Sequence, residues 1–333
     1  MQKEELSIIM PAYNVGKYLK PCIESLIRQS YADWRLIVID DGSTDDTAEI
    51  VDRYAAKDAR ITPVHIKNSG PGHARNIGLQ NASGAYISFM DSDDVYGTDT
   101  TLEENMNILK ADRTIDFLQF PYLYQRQDGT TKWFGPFRSF VLNSQSEILS
   151  LMGESKVCGY LWQKIFKAEI FQGLTFPEDM LLTEDLWVII DVAQRSNKFY
   201  MSNIGFYKYY QRENSLLTGK TKRKETEVLK TYLKLNEALN RNVEVSLSSK
   251  ANWFVTTINH LVRVNACWGC DLDIWLSSFK KYLPSLKACF ASTNGKAKLK
   301  IFLIHLMGLD RYVSLKTEGK KRKLARAACS SCN

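Results

Sequence analysis

The first part of the chain alternates short apolar runs with helical stretches, and no other feature limits its fold so strongly. Leu6–Met10, Trp34–Ile39, Ile61–Ile66 and Tyr86–Met90 are too short for helices and rich in β-branched and aromatic residues, so each reads as a buried strand. Between them, the stretch Lys17–Ser30 carries Tyr18, Cys22, Ile23, Leu26 and Ile27 at helical spacing, and 73–82 predicts a further helix. After the second strand, Ser43 and Asp46 stand at capping-box spacing ahead of a helix expected to reach Ala56. Strands alternating with helices across short loops predict an α/β fold, a mostly parallel central sheet flanked by helices.

In such a sheet, ligands bind in the crevice outside the carboxyl ends of the strands. The loops beginning at Pro11, Asp40, Asn68 and Asp91 all leave carboxyl ends and therefore converge. What converges is acidic: Asp40, Asp41, Asp91 and Asp93. On an extended chain, residues two apart project to one side, so Asp91 and Asp93 would share a ligand while Ser92 faces away. Carboxylate oxygens suit Mg²⁺ or Mn²⁺, which take one or two protein carboxylates and complete their shells with water and phosphate. Taken alone, Asp91–Asp94 is equally good turn chemistry. The converging acids would repel a diphosphate unless a divalent cation lay between them, so an anionic ligand and a metal are expected together. Neither a Gly-x-Gly-x-x-Gly after the first strand nor a Walker pattern is present, which argues against dinucleotide-binding and P-loop domains.

With 44% hydrophobic and 24% charged residues over 333 positions, the composition is that of an ordinary soluble protein. The charged start does not resemble a secretory signal, no apolar run is long enough for a bilayer span, and the seven cysteines are scattered. A cytoplasmic protein with reduced thiols is expected. Two Cys-x-x-Cys pairs, Cys267/Cys270 and Cys329/Cys332, lie too far apart in sequence for a compact zinc module. Much of the net charge of +7 is loaded onto the end of the chain, in Lys296, Lys298, Lys300, Lys320, Lys321, Arg322, Lys323 and Arg326. That asymmetry predicts an anionic partner. A membrane surface fits better than nucleic acid, because no nucleic-acid-binding signature accompanies the charge.

Four blocks then carry a family resemblance by their order and spacing: Pro11-Ala12-Tyr13-Asn14, Asp40-Asp41-Gly42-Ser43-Thr44-Asp45, Gly70-Pro71-Gly72-His73-Ala74-Arg75-Asn76-Ile77-Gly78, and Asp91-Ser92-Asp93-Asp94. Together they resemble the inverting family 2 glycosyltransferases, closely over roughly the first 95 residues and more loosely to about residue 215. The resemblance implies the Rossmann-like GT-A fold of nucleotide-diphospho-sugar transferases, a UDP-sugar donor, and Mn²⁺ or Mg²⁺. It implies that Pro11, Ala12, Tyr13 and Asn14 hold the nucleoside, with Tyr13 offering an aromatic face to the base. Asp40, with Asp41 beside it, would accept from the base edge, which suits the imide N–H of uracil. Gly72, Arg75 and Asn76 would approach the base or the diphosphate, Arg75 as a fixed cation. Asp91 and Ser92 would lie near the ribose or the metal, and Asp93 would ligate the metal directly.

Farther along, Asp116–Tyr124 predicts a strand, and Asp128-Gly129 predicts a hairpin returning through Lys132–Phe134. Trp162–Phe166 followed by Phe176-Pro177 resembles the segment preceding the family's catalytic base, expected within Thr183-Glu184-Asp185-Leu186-Trp187 at the start of a helix reaching about Arg195. By the resemblance, Asp185 is the base, and Glu184 holds the acceptor or orients Asp185. Carboxylates in a first helical turn also suit the helix dipole without any catalytic role. Tyr207–Ser215 resembles the segment closing the catalytic region, with Arg212 as a diphosphate clamp. Beyond about Lys222 the pattern becomes helical. The expected division is a catalytic domain over 1–217, with nucleotide-sugar and metal binding in 1–95 and the acceptor side and base in 96–217. A helical region over 218–315 and a basic tail over 316–333 follow, the tail making peripheral contact with the inner face of the membrane. A last helix, about Lys296–Leu309, reads either as an interfacial anchor or as an ordinary amphipathic core helix.

The expected activity is metal-dependent, inverting transfer from a UDP-sugar to a glycan or lipid-linked acceptor, in surface polysaccharide synthesis. Two other readings stand beside it. A nucleotidyltransferase making nucleotide-sugars would show a Gly-rich basic loop after the first strand, which Pro11–Gly16 lacks; a non-catalytic nucleotide-sugar module would have no use for Asp91, Asp93 and Asp185 together.

Overall fold

The computed structural model describes residues 5–212, 219–291 and 294–330. The chain forms two compact units, Met1–Gln145 with Gly159–Thr218, and Ser146–Cys158 with Gly219–Asn333.

The first unit opens with the alternation expected: β1 (Leu6–Ala12), α1 (Gly16–Ile27), β2 (Trp34–Asp40), α2 (Thr47–Ala55), β3 (Ile61–His65), α3 (Pro71–Asn81) and β4 (Tyr86–Phe89). It continues through β5 (Val95–Tyr96), α4 (Thr101–Ala111), β6 (Phe117–Gln119), β7 (Tyr122–Gln125), β8 (Thr131–Phe134) and β9 (Phe140–Leu142). Beyond α5 (Gln145–Gly153), which falls almost wholly in the second unit, come β10 (Lys164–Lys167), α6 (Glu184–Arg195), β11 (Phe199–Met201) and β12 (Tyr207–Tyr210). The large sheet has the order β3-β2-β1-β4-β10-β6-β11-β9. Its first four strands are parallel, while β10 runs antiparallel to both β4 and β6. Pro63 is tolerated within β3 because that strand is an edge.

Register explains why the loops meet. Ala12 of β1 lies beside Asp40 of β2, and Asp40 lies beside His65 of β3. On the other side of β1, Ile9 pairs with Phe89. The strand order reverses direction around β1, so the crevice between the loops of β1 and β4 is the switch point where α/β sheets bind ligands. Beneath it, Phe89 packs against Phe166, Phe171 and Phe176 at centroid distances of 6.3, 5.7 and 5.6 Å.

A second sheet, β5-β12-β7-β8, contains the expected hairpin as β7 and β8. The strand expected over 116–124 is divided: β6 joins the large sheet and β7 the small one. Pro121 sits at the break, where its missing N–H and fixed φ cannot continue a central strand. The predicted capping box does not form either. Helix α2 begins at Thr47, whose N–H and hydroxyl both donate to Asp45 Oδ1 (3.0 and 2.5 Å), while the Ser43 hydroxyl accepts from Asn14 N–H instead.

The second unit is helical: α7 (Lys222–Arg241), α8 (Leu247–Trp268), α9 (Leu272–Lys280), α10 (Leu286–Ala291), α11 (Gly295–Met307) and α12 (Leu309–Ser330). Side-chain caps start four of these, from Thr221, Ser246, Asp271 and Asn294. Leu229, Phe254, Ile258, Leu261, Phe279, Ile304, Tyr312 and Val313 form its main core. Segment 146–158, kept with the catalytic domain in the sequence reading, belongs here: Ser246 N–H donates to Ser150 Oγ and Ser249 Oγ to Glu154 Oε1. The division expected at residue 316 falls inside the continuous helix α12, so the basic residues Lys320–Arg326 are helical. Cys267 and Cys270 are free thiols, and Cys332 lies outside the described residues. Among the described residues no helix is long and apolar enough to cross a membrane.

Candidate active site

The loops after β1 and β2 are stitched to each other. Asp41 N–H donates to Ala12 O at 2.8 Å, and Asn14 Oδ1 accepts from Thr44 N–H at 2.8 Å. Asn14 adopts φ 52°, a left-handed conformation that asparagine tolerates. Its side chain is thus spent on loop shape. Tyr13 next to it is 49% exposed, an aromatic face at the mouth of the crevice rather than a core residue. Asp40 and Asp41 are both buried and both engaged. Asp40 accepts from Ser43 N–H at 3.1 Å and bonds His65 Nδ1 at 3.0 Å, and His65 Nε2 reaches Asp52 at 3.1 Å. Asp41 accepts from the N–H groups of Ser69 and Gly70 at 2.7 and 2.9 Å, which fixes the loop ahead of α3. A carboxylate has about four lone-pair sites, so Asp40 keeps acceptor capacity for a ligand.

Helix α3 begins at Pro71, whose missing N–H costs nothing at that position. Gly72 follows because a Cβ there would stand 2.4 Å from Pro177 O. Asn76 holds the same passing segment with three hydrogen bonds, to Phe176 O (2.9 Å), Glu178 Oε1 (2.9 Å) and from Phe176 N–H (2.7 Å). Gly72 and the Asn76 side chain thus both serve the packing of the passing 176–178 segment. Arg75, one position before Asn76, points the other way: Nη1 meets Glu184 Oε1 at 2.5 Å and Nη2 lies 3.8 Å from Asp91 Oδ1.

Asp91, Ser92, Asp93 and Asp94 form a turn closed by Asp94 N–H to Asp91 O at 3.2 Å, not the extended chain on which side-chain alternation was argued. Turn closure wins because the small sheet clamps it. Tyr207 Oη accepts from Asp91 N–H at 3.0 Å, and Tyr210 N–H donates to Asp94 Oδ1 at 2.9 Å. Asp93 Oδ2 lies 3.5 Å from Arg212 Nε, and the Arg212 guanidinium also donates to Asp93 O. Tyr18 and Tyr210 each present a ring to that guanidinium, at 4.0 and 4.7 Å. Ser92 is buried within the turn.

Asp94 was not singled out by the sequence reading. It is fully buried, its Oδ2 has no hydrogen-bond partner, and burial followed by the charges of Asp93 and Asp91 drives its pKa well up. Only its place as the third acid within four positions signalled it. Burial also raises Asp91 to about 6, with Arg75 opposing and Asp93 reinforcing the shift. Asp93 is likewise raised by burial, against Arg212.

Thr183, at φ 65°, turns the chain into α6 and sets Glu184 and Asp185 in its first turn. Glu184 is occupied by Arg75. Asp185 accepts from Leu186 N–H at 2.6 Å, and its pKa is pushed to about 7 by burial and then by Glu184, with Arg75 pulling down. Burial works against the Arg75 cation, but Glu184, Asp91 and Asp185 outweigh it. One guanidinium thus links the acid turn after β4 to the start of α6. Around it and Arg212 gather five carboxylates: Asp91, Asp93, Asp94, Glu184 and Asp185.

This excess of buried negative charge, with an orphaned oxygen on Asp94, is a donor set that suits a divalent cation. Among the described residues no three His, Cys, Asp or Glu side chains form a ready-made metal cage.

The sequence profile described as Glycosyl transferase family 2 matches residues 7–169. The chain is 26% identical over 310 residues to a Bacillus subtilis protein described as "Uncharacterized glycosyltransferase EpsJ", covering 92% of this chain and 84% of that one. It is 30% identical over 221 residues to the "Putative teichuronic acid biosynthesis glycosyltransferase TuaG" of the same bacterium, covering 66% of this chain and 84% of that one. Some other relatives are longer, and the chain spans 27 to 31% of their length. Among solved structures, S. aureus TarS 1-349 in complex with UDP-GlcNAc aligns with a TM-score of 0.72 at 18% identity, covering 95% of this chain and 92% of that one. The Pyrobaculum calidifontis mannosyltransferase PcManGT, in complex with GDP-Man and Mn²⁺, aligns with a TM-score of 0.51 at 14% identity, covering 95% and 86%. The parallel sheet with its acid turn after β4, the helical second unit and these likenesses identify the chain as a member of the family 2 glycosyltransferases with a GT-A fold.

Proposed function

We propose that this glycosyltransferase moves a sugar from a UDP-sugar to a hydroxyl of a glycan or lipid-linked acceptor, with inversion and dependence on Mn²⁺ or Mg²⁺. It would act in the cytoplasm, in surface polysaccharide synthesis. One observation supports the reading most: Arg75 bridges Glu184 at the start of α6 to Asp91 of the acid turn, an arrangement that fits a proton acceptor and a phosphate-side cation site in one crevice. The named role of TuaG and the UDP-GlcNAc held by TarS support the polymer and donor classes.

In this reading Tyr13 stacks on the uracil and Asp40 accepts from its imide N–H, in the loop shaped by Pro11, Ala12, Asn14 and Asp41. Asp91 and Asp93 would hold the cation, which when bound neutralises charge on the departing diphosphate. Arg212, stacked on Tyr18 and Tyr210, contributes a second fixed positive charge to that side. Asp185 accepts the acceptor's hydroxyl proton as that oxygen bonds to the anomeric carbon and the bond from that carbon to the phosphate oxygen breaks, releasing UDP. A single displacement from the far face inverts the configuration, through a transition state with oxocarbenium character. Glu184, pinned by Arg75, keeps Asp185 oriented and its pKa near neutrality, where a general base works best.

The test is UDP release from a panel of UDP-sugars offered with membrane glycolipid extracts as acceptor. At least one donor should give acceptor-dependent release that Asp185→Asn reduces by about 10²-fold or more. Release by Asp185→Asn within tenfold of wild type would remove the base assignment, and no release with any donor would remove the donor class.

A further inference from the structure

Helix α11 is apolar on two opposite sides. Ala297, Ile301 and Ile304 face inward and are buried, whereas Leu299, Phe302 and Leu306 are 60, 48 and 72% exposed. At about 100° per residue the exposed three fall within roughly 60° of one another, opposite the buried three. On the same geometry Lys296, Lys298 and Lys300 lie on the flanks between the two faces. The neighbouring α10 adds Phe290, 70% exposed; Cys289 Sγ bonds Lys298 O at 3.1 Å, which sets α10 against α11.

The segment that carries this face holds charge of one sign. Between Asp273 and Asp310 the sequence holds six lysines, Lys280, Lys281, Lys287, Lys296, Lys298 and Lys300, and no Asp or Glu. Lys280 pairs with Asp310 at 2.7 Å, and Lys300 donates to Asn259 Oδ1 at 2.8 Å. Burial, then the nearby Lys316 and Lys296 cations, lower the pKa of Lys300, as expected where positive charges crowd together. An apolar strip bordered by lysines matches one environment closely: the acyl–headgroup boundary of an anionic bilayer, where the strip enters the acyl region and the lysines meet phosphate. A solvated core helix has no need of the outer strip, and a protein partner of ordinary composition has no need of the uniform charge.

We infer that the α10–α11 face of the second unit docks onto anionic membrane surfaces through Leu299, Phe302, Leu306 and Phe290, with Lys296, Lys298 and Lys300 on the headgroups. The docking element is then α11, the helix that the sequence leaves open as an interfacial anchor, rather than the basic stretch of α12. The inference does not depend on the donor or the base.

The experiment is cosedimentation of the full chain with phosphatidylcholine vesicles, with and without phosphatidylglycerol. Wild type should sediment only with the anionic vesicles and less so at high salt. The triple substitution Leu299→Ser, Phe302→Ser, Leu306→Ser should weaken partition by about tenfold or more with an unchanged melting temperature, because the replaced side chains are exposed. A second variant, Lys320→Gln, Lys321→Gln, Lys323→Gln, should retain most of the binding. The inference fails if wild type ignores anionic vesicles, if the triple variant binds them as well as wild type, or if the α12 variant alone loses binding. It also fails, in favour of a second copy of the chain, if wild type but not the triple variant dimerises without vesicles.

Discussion

The pKa of Asp185 offers a prediction whose sign can be worked from its neighbours. It stands at about 7, raised first by burial and then by Glu184, with Arg75 pulling it down. The ionised form is the base, so it is present above about 7 and lost below; in the acid range kcat/KM for UDP release should rise about tenfold per pH unit and level off near neutrality. Glu184→Gln removes the repulsion and also frees Arg75 from its 2.5 Å partner, so both changes stabilise the Asp185 anion. The acid limb should then move down by about one unit or more, each unit being about 1.4 kcal/mol. Arg75→Gln removes the attraction and should move the limb up. Profiles of kcat/KM measured across the acid and neutral range for wild type and both variants, with Asp185→Asn as the baseline, read these shifts directly. Limbs that coincide in the three proteins, or that move in the same direction, would refute the placement of Asp185 between an acid and a cation.

Other outcomes follow from single contacts. Gly72→Ala places a methyl 2.4 Å from Pro177 O, a backbone atom, and should destabilise by about 1–3 kcal/mol, read as a lower melting temperature with the acid turn's chemistry untouched. Tyr13→Ala should weaken UDP binding by about 1 kcal/mol, roughly fivefold in Kd, without altering stability, because that ring is exposed. His65 has its pKa raised by Asp40, against burial and with help from Asp52. Its stabilising contribution is therefore complete below about 6.5 and lost as pH rises through the folded value. Melting curves should show His65→Gln most damaging in mild acid and nearly silent at pH well above neutral.

How much of this was legible depended on whether the signal was local. The four parallel strands were visible because each apolar run is short and ends in a turn residue, and register then carried Ala12, Asp40 and the acid turn to one edge. Glu184 and Asp185 were singled out by resemblance and by their place in a first helical turn, and the structure sets both beside Arg75. What failed needed partners distant in sequence. Ser43 looks like a cap until Asn14, 29 positions away, takes its hydroxyl. Asp94 looks like a surface turn residue until Tyr210, 116 positions away, receives it in the small sheet. The Asn76 side chain bonds Phe176 and Glu178, and nothing in the α3 segment announces those partners. Segment 146–158 carries an ordinary helical pattern, and only its bonds to Ser246 and Ser249 assign it to the helical unit.

In the proposed function, the crevice after β1 and β4 binds a UDP-sugar through a cation held by the acid turn. Calorimetric titration of UDP into wild type and Asp93→Ala, each with and without Mn²⁺, tests it most directly. Wild type should bind UDP more tightly with Mn²⁺ than without it, and Asp93→Ala should show no Mn²⁺-dependent gain. Equal affinity of the two proteins in the presence of Mn²⁺ would contradict it.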